Sequence, residues 1–104
     1  MNKSNETKKI ERVSDILGGD FQVENVKPME ESLDKDYLIK DFAERDGEFG
    51  KYVIILCEEI DTHVEIGVRT GGKIVIEKLN KLKDKKSLPI IGMFKDKGKY
   101  YDMI

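Results

Sequence analysis

The sequence predicts a mainly β domain: a five-stranded Greek-key barrel with one helix between its third and fourth strands, plus a short N-terminal helix and extension. The order of segments between Asp36 and Ile104 carries this prediction. Three strand-like runs precede one basic helix-like run, and two further strand-like runs follow it. Turn-forming glycine, aspartate and proline residues separate the runs. We therefore divide the chain into an N-terminal extension, residues 1–35, and a barrel domain, residues 36–104.

The composition limits the class of protein. A chain of 104 residues can form one domain that buries roughly 65% of its unfolded surface without metals or disulfides. The single cysteine, Cys57, excludes an intrachain disulfide and suits a reducing compartment. No apolar run approaches the ~20 residues needed to cross a bilayer, and Met1–Glu6 lacks the apolar core of a signal sequence. We expect a cytoplasmic protein with no membrane partner.

The net charge of −2 conceals an uneven distribution along the chain. Residues 1–35 carry −2, residues 36–72 carry −5 and residues 73–104 carry +5. Such asymmetry is typical of a protein with one face suited to a polyanion and an acidic opposite face. The alternative is that the lysines of residues 78–86 are only the solvated face of a helix.

The N-terminal third is predicted to be an extension attached to the barrel domain. Ile10–Leu17 has apolar residues at helical spacing, and Gly18-Gly19 is a natural C-terminal stop. We expect this short helix to pack on the barrel or on another subunit. Phe21–Val26 then reads as an extended segment that ends at Lys27-Pro28, and Met29–Asp34 as an acidic linker.

The first barrel strand ends at Arg45. Within it, Tyr37, Ile39 and Ala43 alternate with charged residues, which predicts an inward-facing set at every second position. Asp46-Gly47 then predicts a tight turn into the next strand.

The second and third strands complete the first half of the barrel. Lys51–Glu59 is apolar on both faces, as expected of a central strand that is covered on both sides. His63–Arg69 alternates, and Gly67 within it predicts a bulge or a bend. Its predicted core residues are Val64, Ile66 and Val68.

A helix is predicted over Lys73–Lys86, after a plain turn at Thr70-Gly71-Gly72 that lacks the spacing of a phosphate-binding loop. A strand start at Ile74 is the alternative for its first residues. Pro89 suits the start of the fourth strand, where its missing N–H does least harm. The apolar side of the helix is expected to contain Ile74, Val75, Leu79 and Leu82.

The chain ends in a predicted hairpin. Asp96-Lys97-Gly98 forms its tip, and Lys99–Ile104 is the last strand. Because Tyr100 and Tyr101 are adjacent on a strand, they are expected to face opposite sides, one toward a surface groove and the other toward the core.

Two segments match the arrangement of a known fold. Residues 45–52 (RDGEFGKY) read as the first turn and second strand, and residues 94–101 (FKDKGKYY) as the terminal hairpin. Together with the order of elements, they resemble the OB-fold, and within it the small single-stranded-DNA-binding proteins of phage and archaeal replication systems. The resemblance covers about 70 residues and implies an oligonucleotide groove on strands 2 and 3, flanked by the loops that join strands 1–2 and 4–5.

The side chains of these segments fit that function independently of the resemblance. Single-strand binders need cations along the phosphates and flat rings on which bases stack, worth ~1–3 kcal/mol per base. The terminal hairpin interleaves aromatic and lysine residues, and the first turn adds more. Phe42, Phe49 and Phe94 are favoured as core residues over stacking platforms. The candidate nucleic-acid-binding residues are Arg45, Lys51, Tyr52, Arg69, Lys73, Phe94, Lys95, Lys97, Lys99, Tyr100 and Tyr101.

Signals for catalysis or metal binding are weak. His63 is the only histidine, and no nucleophile or orienting partner is indicated for it. Cys57 lies in the most apolar run, which favours an inert core thiol. Glu58, Glu59 and Asp61 crowd one turn but lack a known cation-ligand spacing. We expect no enzymatic activity, no cofactor and no metal.

We therefore expect non-enzymatic binding of single-stranded nucleic acid, DNA more than RNA, with little sequence preference, in replication, recombination or repair. The alternative is a protein-interaction module or an oligomeric structural protein of a phage or archaeal system. A homo-oligomer or a replication-protein partner is compatible with either reading.

Overall fold

The computed structural model of the chain describes residues 25–104, which form a curled six-stranded mixed sheet, a half-barrel, with one helix. The helix predicted over Ile10–Leu17 lies outside the described residues. The elements are β1 (Val26–Pro28), a 3-10 turn (Met29–Glu31), β2 (Asp36–Gly47), β3 (Gly50–Glu59), β4 (Glu65–Thr70), α1 (Lys73–Asp84), β5 (Ile90–Asp96) and β6 (Tyr101–Met103).

The sheet order is β1-β4-β3-β2-β5-β6, with β1 parallel to β4 and every other pair antiparallel. The mainly β class and the helix between β4 and β5 are confirmed. The five-stranded closed barrel is not, because the described sheet has a sixth strand, β1, and its two edges, β1 and β6, are not paired with each other.

Strand β2 lies between two neighbours in the sheet and changes its register part-way along. Its residues 36–39 pair with β5, and residues 37–47 pair with β3. The register with β3 shifts between Ile39 and Asp41, which marks a β-bulge. The shift reverses the alternation, so that Tyr37 and Ile39 before the bulge and Phe42 after it all reach the core. Ala43 is also buried, but its register partner Ile54 places it on the opposite face from Phe42.

The core lies inside the curl and is closed at one end by α1. Tyr37 and Phe94 pack with their ring centroids 5.4 Å apart, and Val75 and Leu79 bring the apolar face of α1 against them. The predicted helix start at Lys73 is confirmed; Ile74, expected in the core, is only half-buried. The remaining buried apolar residues of the cluster are Met29, Ile39, Phe42, Val53, Ile55, Cys57, Ile66, Val68 and Met103.

The folded unit begins before Asp36. β1 pairs with residues 67–69 of β4, and Met29 is only 1% exposed in the core. The buried Ser32 hydroxyl donates to the Pro28 carbonyl at 3.1 Å. The prediction of a linker over Met29–Asp34 is therefore wrong, because this segment packs against the sheet.

Two details of the middle strands also differ from the predictions. Strand β4 begins at Glu65, because His63 has a positive φ of 59° and turns the chain, so Val64 is exposed. The register between β3 and β4 is continuous through Gly67, which places the bulge in β2 instead. Ile66 and Val68 are buried as predicted.

A polar contact joins α1 to the last strand. The Lys78 ammonium donates to the Met103 carbonyl at 3.0 Å and lies 2.7 Å from the Asp102 carboxylate. Asp102 in turn accepts the Met103 N–H at 2.7 Å. Because β6 has only three residues, this contact helps to hold the short edge strand on the helix.

We predict that Met29→Ala will lower the free energy of unfolding by about 2–5 kcal/mol, because it removes a buried side chain and leaves a cavity. Urea denaturation monitored by circular dichroism measures the change. The neighbouring Glu30→Ala, at an exposed position, should change stability by no more than about 0.5 kcal/mol. Equal, small effects of both substitutions would contradict the inclusion of this segment in the core.

The Lys78–Asp102 contact predicts a pH dependence. The hydrogen bond from Lys78, followed by that from the Met103 N–H, lowers the pKa of Asp102 in the folded chain. The stabilisation from the ionised Asp102 carboxylate is therefore complete above the pKa of Asp in the unfolded chain, about 3.9. It is lost as the pH falls through the lowered pKa of Asp102 in the folded chain. Between about pH 5 and pH 2.5, Asp102→Asn should lose less stability than the parent chain in urea titrations. Equal losses of stability in the variant and in the parent chain would contradict a stabilising role of the Lys78–Asp102 contact.

Candidate functional site

Two adjoining grooves lie where the open edges of the sheet come near each other. The first groove has a volume of about 500 Å³ and the second about 590 Å³, and they share Thr70, Gly71 and Tyr101. The first is lined by Pro28, Met29, Glu30, residues 47–52, Arg69 and the shared residues. The second is lined by residues 70–74, Asp96 and residues 98–101.

The tight turn between β2 and β3 forms one wall of the first groove. Gly47 pairs with Gly50, so the two central turn residues are Glu48 and Phe49. The positive φ, 116°, falls on Gly50 after them, as in a type I turn followed by a glycine bulge. The predicted turn at Asp46-Gly47 is displaced by two residues, since both belong to β2. Phe49, expected in the core, is 99% exposed at the tip.

Cationic side chains lie on strands beside this turn. The Arg69 guanidinium lies over the Tyr52 ring, 4.5 Å from its centroid. The Lys51 ammonium lies 3.2 Å from the Asp46 carboxylate, and both are well exposed, so the pair contributes little and is easily exchanged. Arg45 is opposite Tyr52 in the strand register, and its guanidinium donates to the Glu44 carbonyl at 3.3 Å.

The second groove is formed by the terminal hairpin and the start of α1. At the hairpin tip, the Gly98 N–H donates to the Asp96 carboxylate at 2.8 Å, and Gly98 has a φ of 95°. Lys73 and Lys99 line this groove, and neither has an ion-pair partner among residues 25–104.

Both tyrosines of the hairpin line the second groove. Tyr100 is exposed, whereas Tyr101 is half-buried against the core cluster and also reaches the first groove. Burial raises the pKa of Tyr101 above its usual value. The expected division, with one ring toward solvent and the other against the core, is thus seen at Tyr100 and Tyr101, and Tyr101 additionally lines both grooves.

Four of the candidate residues do not line the grooves: Arg45, Phe94, Lys95 and Lys97. Phe94 is fully buried beside Tyr37, so its ring cannot stack on a ligand; the expectation that it belongs to the core is confirmed. The Lys95 ammonium lies 2.6 Å from the Asp34 carboxylate on the segment after the 3-10 turn. Lys97 is exposed at the hairpin tip but is not part of either groove wall.

The sequence prediction missed Phe49 as a site residue. Its signal was the Gly-x-x-Gly spacing of Gly47 and Gly50, because a two-residue turn leaves its central side chains outside the sheet. It also missed the acidic wall contributed by Glu30, Glu48 and Asp96. With four cations, Lys51, Arg69, Lys73 and Lys99, against these three carboxylates, the lining carries a net charge of +1.

Three of the side chains considered for catalysis or metal binding, His63, Glu58 and Glu59, have structural partners. The His63 ring lies 3.1 Å from Glu58, and together with the Lys40 ammonium it lowers the pKa of that carboxyl. Glu59 lies 3.7 Å from the Lys35 ammonium. Within residues 25–104, no three His, Cys, Asp or Glu side chains are grouped closely enough to hold a metal ion.

Comparisons with known proteins provide no relative. No family model matches the chain, and neither a curated protein nor a solved structure matches it significantly. In the described part of the chain, no helix has the length and apolar character required to cross a bilayer.

We predict that Cys57 does not react with thiol reagents in the folded protein. Burial raises the pKa of its thiol to about 12, so only ~0.01% is thiolate at about pH 8. Labelling with a colorimetric disulfide reagent should be slow in buffer and complete in ~6 M guanidinium chloride. As a control, a thiol at the exposed Thr62 in the Cys57→Ala background (Thr62→Cys) should label rapidly. Rapid labelling of native Cys57 would show that the core opens readily.

Proposed function

We propose that the two adjoining grooves bind single-stranded nucleic acid, DNA more than RNA, with little sequence preference. The observation that carries this proposal is the alternation of rings and cations along the grooves. Phe49 and Tyr52 lie with Lys51 and Arg69 in the first groove. In the second, two tyrosines lie with two lysines, and Tyr101 joins the two grooves.

Base stacking is the first contribution. Every base has a flat face, so an exposed ring is a platform that tolerates any sequence, at ~1–3 kcal/mol per base. Phe49 and Tyr100 are the most exposed rings of the grooves. An exposed phenylalanine at a hairpin tip contributes nothing to the core, and stacking on a ligand base removes its ring from water.

Phosphate contacts are the second contribution. Lys73 and Lys99 are unpaired among the described residues, and Lys51 has only a solvent-exposed partner. The N-terminal end of α1, at Gly72 and Lys73, adds the positive end of its dipole to the wall of the second groove. The four cations of the lining allow a few phosphate contacts and hence a salt-dependent affinity, and the net lining charge of +1 keeps that affinity moderate.

Little sequence preference follows from the side chains that are missing. Bidentate reading of adenine uses Asn or Gln, which present a donor and an acceptor together. Neither type lines the two grooves, and the Arg69 guanidinium is already stacked on Tyr52.

An OB-like arrangement of β2–β6 is part of the proposal. The pairing of β2 with both β3 and β5 and the position of α1 between β4 and β5 support it. In the OB-fold, the loops that join strands 1–2 and 4–5 flank the oligonucleotide groove. The corresponding loops here are the turn with Phe49 and the hairpin tip Asp96–Gly98, and both contribute to the groove walls.

We predict separate effects of charge and stacking on binding of a labelled 20–30-nucleotide strand, followed by fluorescence anisotropy at several salt concentrations. Lys51→Ala with Lys99→Ala should weaken binding to all sequences and flatten the log–log salt slope by roughly 0.7 per lost phosphate contact. Phe49→Ala or Tyr100→Ala should cost roughly 1–3 kcal/mol and leave the slope nearly unchanged, because stacking releases no counterions.

Lys86→Ala is the matched control, because this exposed lysine follows α1 and lines neither groove. It should leave both the affinity and the salt slope nearly as in the parent chain. Absence of single-strand binding at ~50 mM salt would overturn the proposed function. Equal loss of affinity in the Lys86 variant would show binding that is not confined to the grooves.

A further inference from the structure

A third depression lies away from the two grooves, between the C-terminal half of α1, the start of β5 and the end of the chain. Its volume is about 290 Å³ and its walls are mainly apolar; Leu82 and Met103 are among them. We name it the lysine-rimmed cleft, because Lys81 and Lys85 stand at its rim. It shares no residue with either groove.

The cleft leaves an unusual amount of apolar surface in water. Ile91 is 60% exposed, Ile104 is 62% exposed, and Ile90 is also exposed. Burying such side chains against a partner is favourable by roughly 25 cal/mol per Å² of apolar surface, and clustered exposure of this kind marks interaction sites. At Gly92, an added Cβ would lie 2.8 Å from Ile39 Cδ1, so the floor is closely packed and the cleft is open only outward.

The charges at the rim indicate the sign of the charge that a partner would carry. Lys78 is engaged by Asp102 and the Met103 carbonyl, as described above. Lys81 in α1 and Lys85, the residue that follows its end, have no ion-pair partner among residues 25–104. A partner that fills the apolar floor and brings carboxylates to these two ammonium groups would be complementary in both respects.

We propose that the lysine-rimmed cleft binds an acidic peptide segment of another protein. One or two Leu, Ile or Phe side chains of that segment enter the cleft, and neighbouring Asp or Glu residues pair with Lys81 and Lys85. A nucleic acid fits less well, because no aromatic ring lines this cleft. A small amphiphile would leave the outer faces of Ile91 and Ile104 exposed, whereas a peptide covers them.

Selection of displayed random 12-residue peptides on the full chain tests the proposal. Enriched peptides should combine Asp or Glu with Leu, Ile or Phe. In titrations of a labelled enriched peptide, Lys81→Glu with Lys85→Glu should lower the affinity by about tenfold or more. Ile91→Asp and the milder Ile91→Ser should also lower the affinity for the peptide, and both lie at an exposed position that tolerates change. Lys86→Glu, at an exposed lysine just after the helix and outside the cleft, is the matched control.

Other outcomes would overturn it. Enrichment without acidic residues, or affinity unaffected by the rim variants, would exclude an acidic peptide. Methyl nuclear Overhauser contacts between Ile91 and residues 1–24 would show that the chain itself occupies the cleft. Concentration-dependent dimerisation lost in Ile91→Asp would show a second copy there. Because Ile91→Asp should retain single-strand binding, failure of this proposal is distinguishable from failure of the groove function.

Discussion

The bulge in β2 is the constraint on which the rest of the structure depends. This twelve-residue strand pairs with β3 along most of its length, and its first four residues also pair with β5. The bulge after Ile39 leaves Lys40 without a register partner on β3 and reverses which face the following side chains occupy. Without it, either Tyr37 and Ile39 or Phe42 would face solvent, and the curled sheet would lose one half of its core.

The curl brings the two sheet edges near each other without pairing them. β1 occupies the free side of β4, and the short β6 is tied to α1 through Lys78. The space between these two unpaired edges is lined with side chains. The Tyr101 ring packs against the core and also lines both grooves. The same geometry that leaves the sheet open therefore produces the surface we propose for single strands.

The basic C-terminal third divides its charge among different tasks. Lys73 and Lys99 face the second groove, Lys78 holds the last strand, and Lys81 and Lys85 stand above the lysine-rimmed cleft. The excess of positive charge in residues 73–104 is thus distributed over separate surfaces of the folded chain. Helix α1 extends from one site to the other, because its N-terminal end lies at the second groove and its C-terminal half lies at the lysine-rimmed cleft.

The sequence by itself determined the mainly β class, the helix after Gly72 and the terminal hairpin, because hydrophobic period and glycine turns are local properties. It also grouped Lys51, Tyr52 and Arg69, which line the first groove together, but it placed Arg45 with them, and Arg45 lines neither groove. Only the tertiary structure decided that Met29 belongs to the core and that the alternation of β2 reverses after Ile39. Those outcomes depend on a parallel strand from the N-terminal segment and on a one-residue bulge. Each arises from pairing between residues distant in the chain, which no local pattern encodes.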